Sequence, residues 1–203
     1  MILEQLKKAT RPYHEAMERD PLSRSLLSPA ISHDDYVHIL QVYLGFYAPL
    51  EQALFSLPDW AKLGFDIERR RKAGMLLHDL RALGASTIDA NDVLHCSALP
   101  PVVDLGVALG CMYVLEGATL GGQLIARHLG ATLGLGPTSG SAFFNSHGAE
   151  LGPRWKEFRA LLEAQAATPA ISEAAVATAA ATFLAMERWF SLGYRPSTAA
   201  TAA

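Results

Sequence analysis

Leu, Ala and aromatic residues recur at three- and four-residue spacing along almost the whole chain. Nowhere do Val, Ile and Thr alternate with polar residues over the length of a strand. The pattern predicts an all-α fold. Leu3, Leu6, Ala9, Tyr13 and Met17 keep helical spacing, which predicts a first helix over Ile2 to Arg19 that stops before Pro21. Ser32 followed by Asp35 forms a capping box, and Tyr36, Ile39, Leu40, Tyr43, Leu44 and Tyr47 continue it as an apolar stripe, so a second helix starts behind Ser32, with Pro58 on its far side.

A third helix is expected over Asp66 to Leu83, then a polar loop from Gly84 to about Ser97. Pro100 and Pro101 suit the opening turn of a long fourth helix ending at Gly130, and Gly134 to Ser141 form a loop behind it. Helices over about Ala149 to Ala166 and Ile171 to Phe190 follow. The small residues after Pro196 have nothing to pack and are expected to fray.

Composition narrows the picture. Half of the 203 residues are hydrophobic, enough for one buried core without metal or disulfide staples. Seventeen basic and twenty acidic residues give a net charge of -3 without a long basic run, which argues against a nucleic-acid partner. Cys96 and Cys111 do not form a C-x-x-C pair, as expected of a reduced, cytoplasmic chain, and the N-terminal segment lacks the apolar core and cleavage site of a signal peptide. The longest charge-free apolar run in the middle of the chain, Leu105 to Leu115, is bounded by Asp104 and Glu116 and is too short to cross a bilayer, so no membrane partner is expected.

Two stretches carry candidate chemistry. His14 has Glu18 four residues on, where a carboxylate can accept a bond from Nδ1–H and leave Nε2 free for iron. Such pairs orient metal-bound histidines, but they also occur on ordinary exposed helix faces. Lys7 lies two turns back on nearly the same face, about 10 Å along the axis. With Lys8 it also reads as a solvated basic face.

In the second stretch, Tyr113 to Gln123, Gly117, Gly121 and Gly122 interrupt a strongly helical segment, each at about 1 kcal/mol relative to alanine. Either another helix packs closely there, or a flat ligand lies against bare backbone. These glycines do not sit between a strand and a helix, and the G-K-[ST] signature is absent, so they are not a phosphate cradle. No H-E-x-x-H motif or cysteine cluster marks a metal site made by protein alone.

Leu6 to His14, followed by Glu18, resembles the proximal helix of haem oxygenases, and Tyr113 to Gln123 resembles their glycine-rich distal helix. Phe46 to Glu51, Trp155 to Arg159 and Thr182 to Leu184 agree with the family in order and spacing, so the resemblance covers nearly the whole chain. It implies a haem oxygenase-like domain over residues 1–196 with a tail at 197–203, and His14 as the ligand of haem iron with Glu18 beside it. Lys7, Tyr113 and Arg159 would hold the propionates. Gly117, Gly121 and Gly122 would lie over the distal face, and Phe183 would help to wall the site.

The chain departs from the animal-type pattern at Ala118, where those enzymes carry an aspartate that anchors distal water, and here it looks closer to the bacterial, phytochrome-associated branch. Tyr47, Thr119 or backbone carbonyls would hold that water instead. The implied reaction is cleavage of haem, at once substrate and cofactor, by O2 and an external reductant to biliverdin, carbon monoxide and ferrous iron. A ferredoxin or reductase would be the electron-donor partner and a bacteriophytochrome a possible product acceptor. Two other readings stay open here: a non-catalytic haem carrier or sensor on the same fold, and a haem-free helical hydrolase with a cysteine nucleophile.

Overall fold

The computed structural model describes residues 1–57, 59–85 and 87–195, and these form helices and loops without a strand. The predicted fraying after Pro196 falls on residues outside that description, as does Pro58.

Helix α1 (Ile2–Arg19) has the predicted bounds and buries Ile2, Leu6 and Thr10, one residue per turn. Asp20 ends it and begins α2 (Pro21–Ser25), its Oδ1 accepting from Leu22 N and Ser23 N at 2.9 and 3.1 Å. Helix α3 (His33–Phe55) starts at the expected capping box: Asp35 N donates to Ser32 Oγ and Ser32 N donates to Asp35 Oδ2, both at 3.1 Å. A short α4 (Asp59–Lys62) follows.

The third predicted helix is broken. Glu68–Arg70 form a single 3-10 turn, Arg71 is extended, and α5 runs only over Ala73–Ala82. The cause is long-range, because Arg70 and Lys72 turn inward instead of outward. Arg70 Nη1 donates to Glu116 Oε2 and Nη2 to Glu157 Oε2, both at 2.5 Å. Lys72 Nζ lies 2.8 Å from His147 Nε2 and 3.8 Å from Glu116 Oε1. Lys72 N and Ala73 N donate to the two oxygens of Glu51, which thereby caps α5 from α3.

Helix α6 (Leu105–Leu133) starts and ends later than expected. Asp104, not the proline pair, supplies the opening acceptor, taking the Val107 N–H at 2.9 Å. At the far end Gly130 stays helical and Gly134, at φ 69°, turns the chain out. Asp79 of α5 accepts from Ala142 N and Phe143 N, each at 2.8 Å, and so holds the start of the short α7 (Ala142–Asn145), a helix that the sequence pattern does not predict. Helix α8 (Leu151–Gln165) and α9 (Pro169–Gly193) complete the domain within a few residues of expectation.

Helix α9 packs along both α6 and α1, and α5 lies on α3. Both α6 and α9 are long and apolar enough to cross a membrane, but 61% of the most apolar window of α6 is buried against the rest of the molecule. Gly106 and Gly110 permit the α6–α9 approach: a Cβ on Gly110 would come within 2.5 Å of Ala175 O and 2.8 Å of Thr178 Cβ.

Truncating one member of the buried ion pair leaves its partner uncompensated. Arg70→Met is expected to lower stability by about 3–5 kcal/mol, read as the shift in a urea unfolding midpoint at constant slope.

Candidate functional site

A cavity of about 1330 Å³ opens between α1, α6 and α9, larger than the roughly 300–1,000 Å³ usual for small-molecule sites. It is mostly apolar and is completed by α3, Trp155 of α8 and the segment around α2. Its position follows from the glycine spacing of α6. Gly106, Gly110, Gly117 and Gly121 recur at intervals of four, seven and four, which keeps them close to one helix face. Over the first two, α9 presents small residues and sits in contact. Farther along, α9 presents Phe183, Met186 and Phe190, and these line the cavity. A Cβ on Gly117 or Gly121 would meet nothing within 4 Å.

That open space separates the two readings of the glycines. Gly117 and Gly121 are bare toward the cavity, whereas Gly122 is bare for packing: its Cβ would stand 2.6 Å from Phe144 O, and Gly122 does not line the cavity. Gly122 therefore packs against α7 and does not lie over the ligand face that the resemblance implies for it.

The facing wall is one side of α1: Lys7, Arg11, His14 and Glu18 all line the cavity, with Thr10 and Met17 between them. His14 is next on the turn-by-turn row after Ile2, Leu6 and Thr10, but the first three are buried and His14 is not. Its Nδ1 lies 3.4 Å from Glu18 Oε1, and the imidazole meets Phe183 edge to face at 6.2 Å between centroids. The carboxylate and the phenyl ring together limit how the imidazole can turn.

Tyr43 and Tyr47 of α3 form the inner end, with rings 6.2 Å apart and nearly parallel. Phe143 of α7 backs Tyr47 at 5.0 Å, and Phe190 meets Tyr43 at 4.6 Å. Burial raises the pKa of both hydroxyls well above the usual phenol value. For Tyr47 the neighbouring Tyr43, Glu51 and Glu116 add to the rise. Both remain protonated hydrogen-bond donors at neutral pH.

Of the residues singled out from sequence, Lys7, His14, Glu18, Tyr47, Tyr113, Gly117, Gly121 and Phe183 line this one cavity. Arg159 does not. It is exposed and pairs with Glu163 at 3.9 Å one turn farther along α8, and Trp155 is the α8 residue that reaches the cavity, 6.2 Å from the Tyr113 ring. Thr119 is also turned away, donating to Glu116 O at 2.6 Å. The sequence reading missed Arg11 and Arg24, which join Lys7 as cations on the lining. Arg11 was legible, lying three residues before His14; Arg24 arrives only through the turn at α2. Three cations against Glu18 suit an apolar ligand that carries carboxylates.

The cysteine-nucleophile reading finds no support among the described residues. Cys96 and Cys111 are both buried, and burial pushes the Cys111 thiol up to about 11.

A family model described as Heme oxygenase matches residues 1–192. A protein from Xanthomonas campestris pv. campestris (strain 8004), named Heme oxygenase, is 31% identical over 156 residues, covering 75% of this chain and 87% of that protein. Among solved structures, the heme oxygenase of Leptospira interrogans superposes with a TM-score of 0.76 at 18% identity, covering 94% of this chain and 98% of that one. The Neisseria meningitidis heme oxygenase, solved with NO and CO bound, gives 0.73 at 20% identity, covering 94% and 92%.

The two classes of glycine respond oppositely to alanine. Gly117→Ala and Gly121→Ala are expected to stabilise the empty protein by about 0.5–1 kcal/mol through helix propensity. Gly122→Ala should destabilise it by about 1–3 kcal/mol through overpacking. Urea unfolding of the three variants checks this; a common sign would refute the division.

Proposed function

The chain belongs to the haem oxygenase family of haem-degrading enzymes, and from that premise we propose that His14 would hold the haem iron, with Glu18 orienting its ring. The observation that carries the reading is the pairing of walls. One side of the cavity offers an imidazole, and the other offers helix backbone that Gly117 and Gly121 leave uncovered. A planar macrocycle bound by its iron on one face needs open space on the other.

The bound haem supplies dioxygen binding and redox chemistry, and the chain's residues supply position and protons. Lys7, Arg11 and Arg24 bind the propionates by charge, and Tyr113 adds a hydrogen bond at the edge. Phe183, Met186 and Phe190 exclude water from the interior. Tyr47 would take the place of the aspartate missing at Ala118: its hydroxyl stays protonated and the residue lines the cavity's inner end, where it could donate a hydrogen bond to distal water. The products are biliverdin, carbon monoxide and ferrous iron.

Electrons come from an external reductant, for which a ferredoxin or reductase is the proposed donor. Residues 1–196 act as one haem-binding domain in the cytoplasm. The Tyr113 to Gln123 segment, with Ala118 in it, supports the phytochrome-associated bacterial branch and hence a bacteriophytochrome as product acceptor.

An optical time course with added hemin and then ascorbate tests the assignment. Wild type is expected to lose its Soret band and form biliverdin, while His14→Ala does not turn over. A wild-type Soret band that persists under reductant would make the protein a carrier and contradict the proposal.

A further inference from the structure

Exposed residues among the lining mark where the cavity opens. Leu120 and Leu124 of α6 and Leu27 of the strap that joins α1 to α3, Asp20 to Ser32, are large apolar side chains that line the cavity and stay exposed. The mouth therefore lies between α6 and this strap, with apolar side chains on both lips. Arg24, a cation of the lining, also belongs to the strap.

The two lips are not equally free to move. Along this stretch α6 is fixed to α7: a Cβ on Gly122 would stand 2.6 Å from Phe144 O, and Gln123 Nε2 donates to Asn145 O at 2.7 Å. Asp79 holds α7 in turn. The strap is anchored by the buried side chains of Leu22, Leu26 and Ile31. It is bounded by two helix-cap residues with extended ψ, Asp20 at φ -58°, ψ 135° and Ser32 at φ -95°, ψ 166°. Rotation at these two positions moves the strap without unwinding α1 or α3.

A hydrogen bond joins the lips at one end of the mouth. His128 Nε2 donates to Ser28 O at 3.0 Å, and the same carbonyl accepts the Ile31 N–H at 3.2 Å, within the turn that closes the strap. His128 lies one turn beyond Leu124 on the same face of α6 and does not itself line the cavity. Its imidazole reaches the strap backbone from the wall that α7 holds still.

We propose that the strap is the gate through which haem enters and the opened product leaves, and that His128 is the positioning residue that latches it to α6. The proposal rests on the reading of the cavity as a haem oxygenase site. With the latch made, Leu27 and Arg24 stay on the lining. With it broken, the strap swings about Asp20 and Ser32 and takes both away from α6. His14 stays in place because α1 packs along α9, and Gly117 and Gly121 stay in place because α6 is fixed to α7. Retention of the ligand is thereby separated from the chemistry done on it.

Two substitutions separate a latch from simple packing. His128→Leu keeps an apolar side chain of similar bulk and loses the N–H donor, whereas His128→Gln keeps a donor. In the haem-free protein, His128→Leu is expected to speed amide hydrogen exchange across the strap about fivefold, the effect of losing one ordinary hydrogen bond. Exchange over residues 119–129 of α6 should not change. Loaded with hemin, His128→Leu should lose it to excess apomyoglobin about fivefold faster than wild type, and His128→Gln at close to the wild-type rate. The single-turnover rate of Soret loss under reductant should be the same in all three proteins.

Hemin loss that is unchanged in His128→Leu, a glutamine variant that behaves like the leucine variant, or faster exchange in α6 in place of the strap would overturn the gate while leaving the haem reading intact. Failure of the wild type to bind hemin would overturn both.

Discussion

The bare face of α6 is the constraint on which the rest of the molecule depends. One helix face has to meet α9 at backbone distance along one stretch and leave a slot along the next. Glycine serves both ends because it has no Cβ, and the side chains of α9 decide which use applies. Where α9 carries Ala174, Ala175 and Thr178 the helices touch, and where it carries Phe183, Met186 and Phe190 the cavity opens. The glycines weaken α6 as a helix, so its integrity relies on tertiary support: the Asp104 cap, the turn at Gly134 and the buried charges around Glu116.

Those charges lie next to the functional face. Glu116 immediately precedes Gly117, and Arg70 joins it to Glu157 on α8, the helix that contributes Trp155 to the cavity. Glu51 binds the start of α5, and Asp79 of α5 binds the start of α7, whose Phe143 backs Tyr47. Tyr47 is thus held by a chain of long-range side chain to backbone bonds. Each link satisfies helix-end N–H groups that burial would otherwise leave unpaired.

Local features were legible in the sequence. The bounds of α1, the capping box of α3 and the His14–Glu18 juxtaposition depend on residues three or four apart, and all three are present. What depends on distant partners was not legible. The break before α5 follows from Arg70 and Lys72 reaching α6 and His147, and α7 exists because Asp79 caps it. Gly121 and Gly122 are neighbours with opposite roles, and only the position of Phe144 tells them apart. Arg159 was carried over by resemblance, but it sits outside the lining while Arg24 sits within it, a difference set by how the chain turns at α2.

The central claim is that the ligand lies between His14 and the glycine face of α6. A crystal structure of the protein with hemin tests it most directly. The account predicts iron bonded to His14 Nε2, with the opposite face of the macrocycle over the Gly117 and Gly121 backbone. Iron held by any other side chain, or a macrocycle seated outside this cavity, would contradict it.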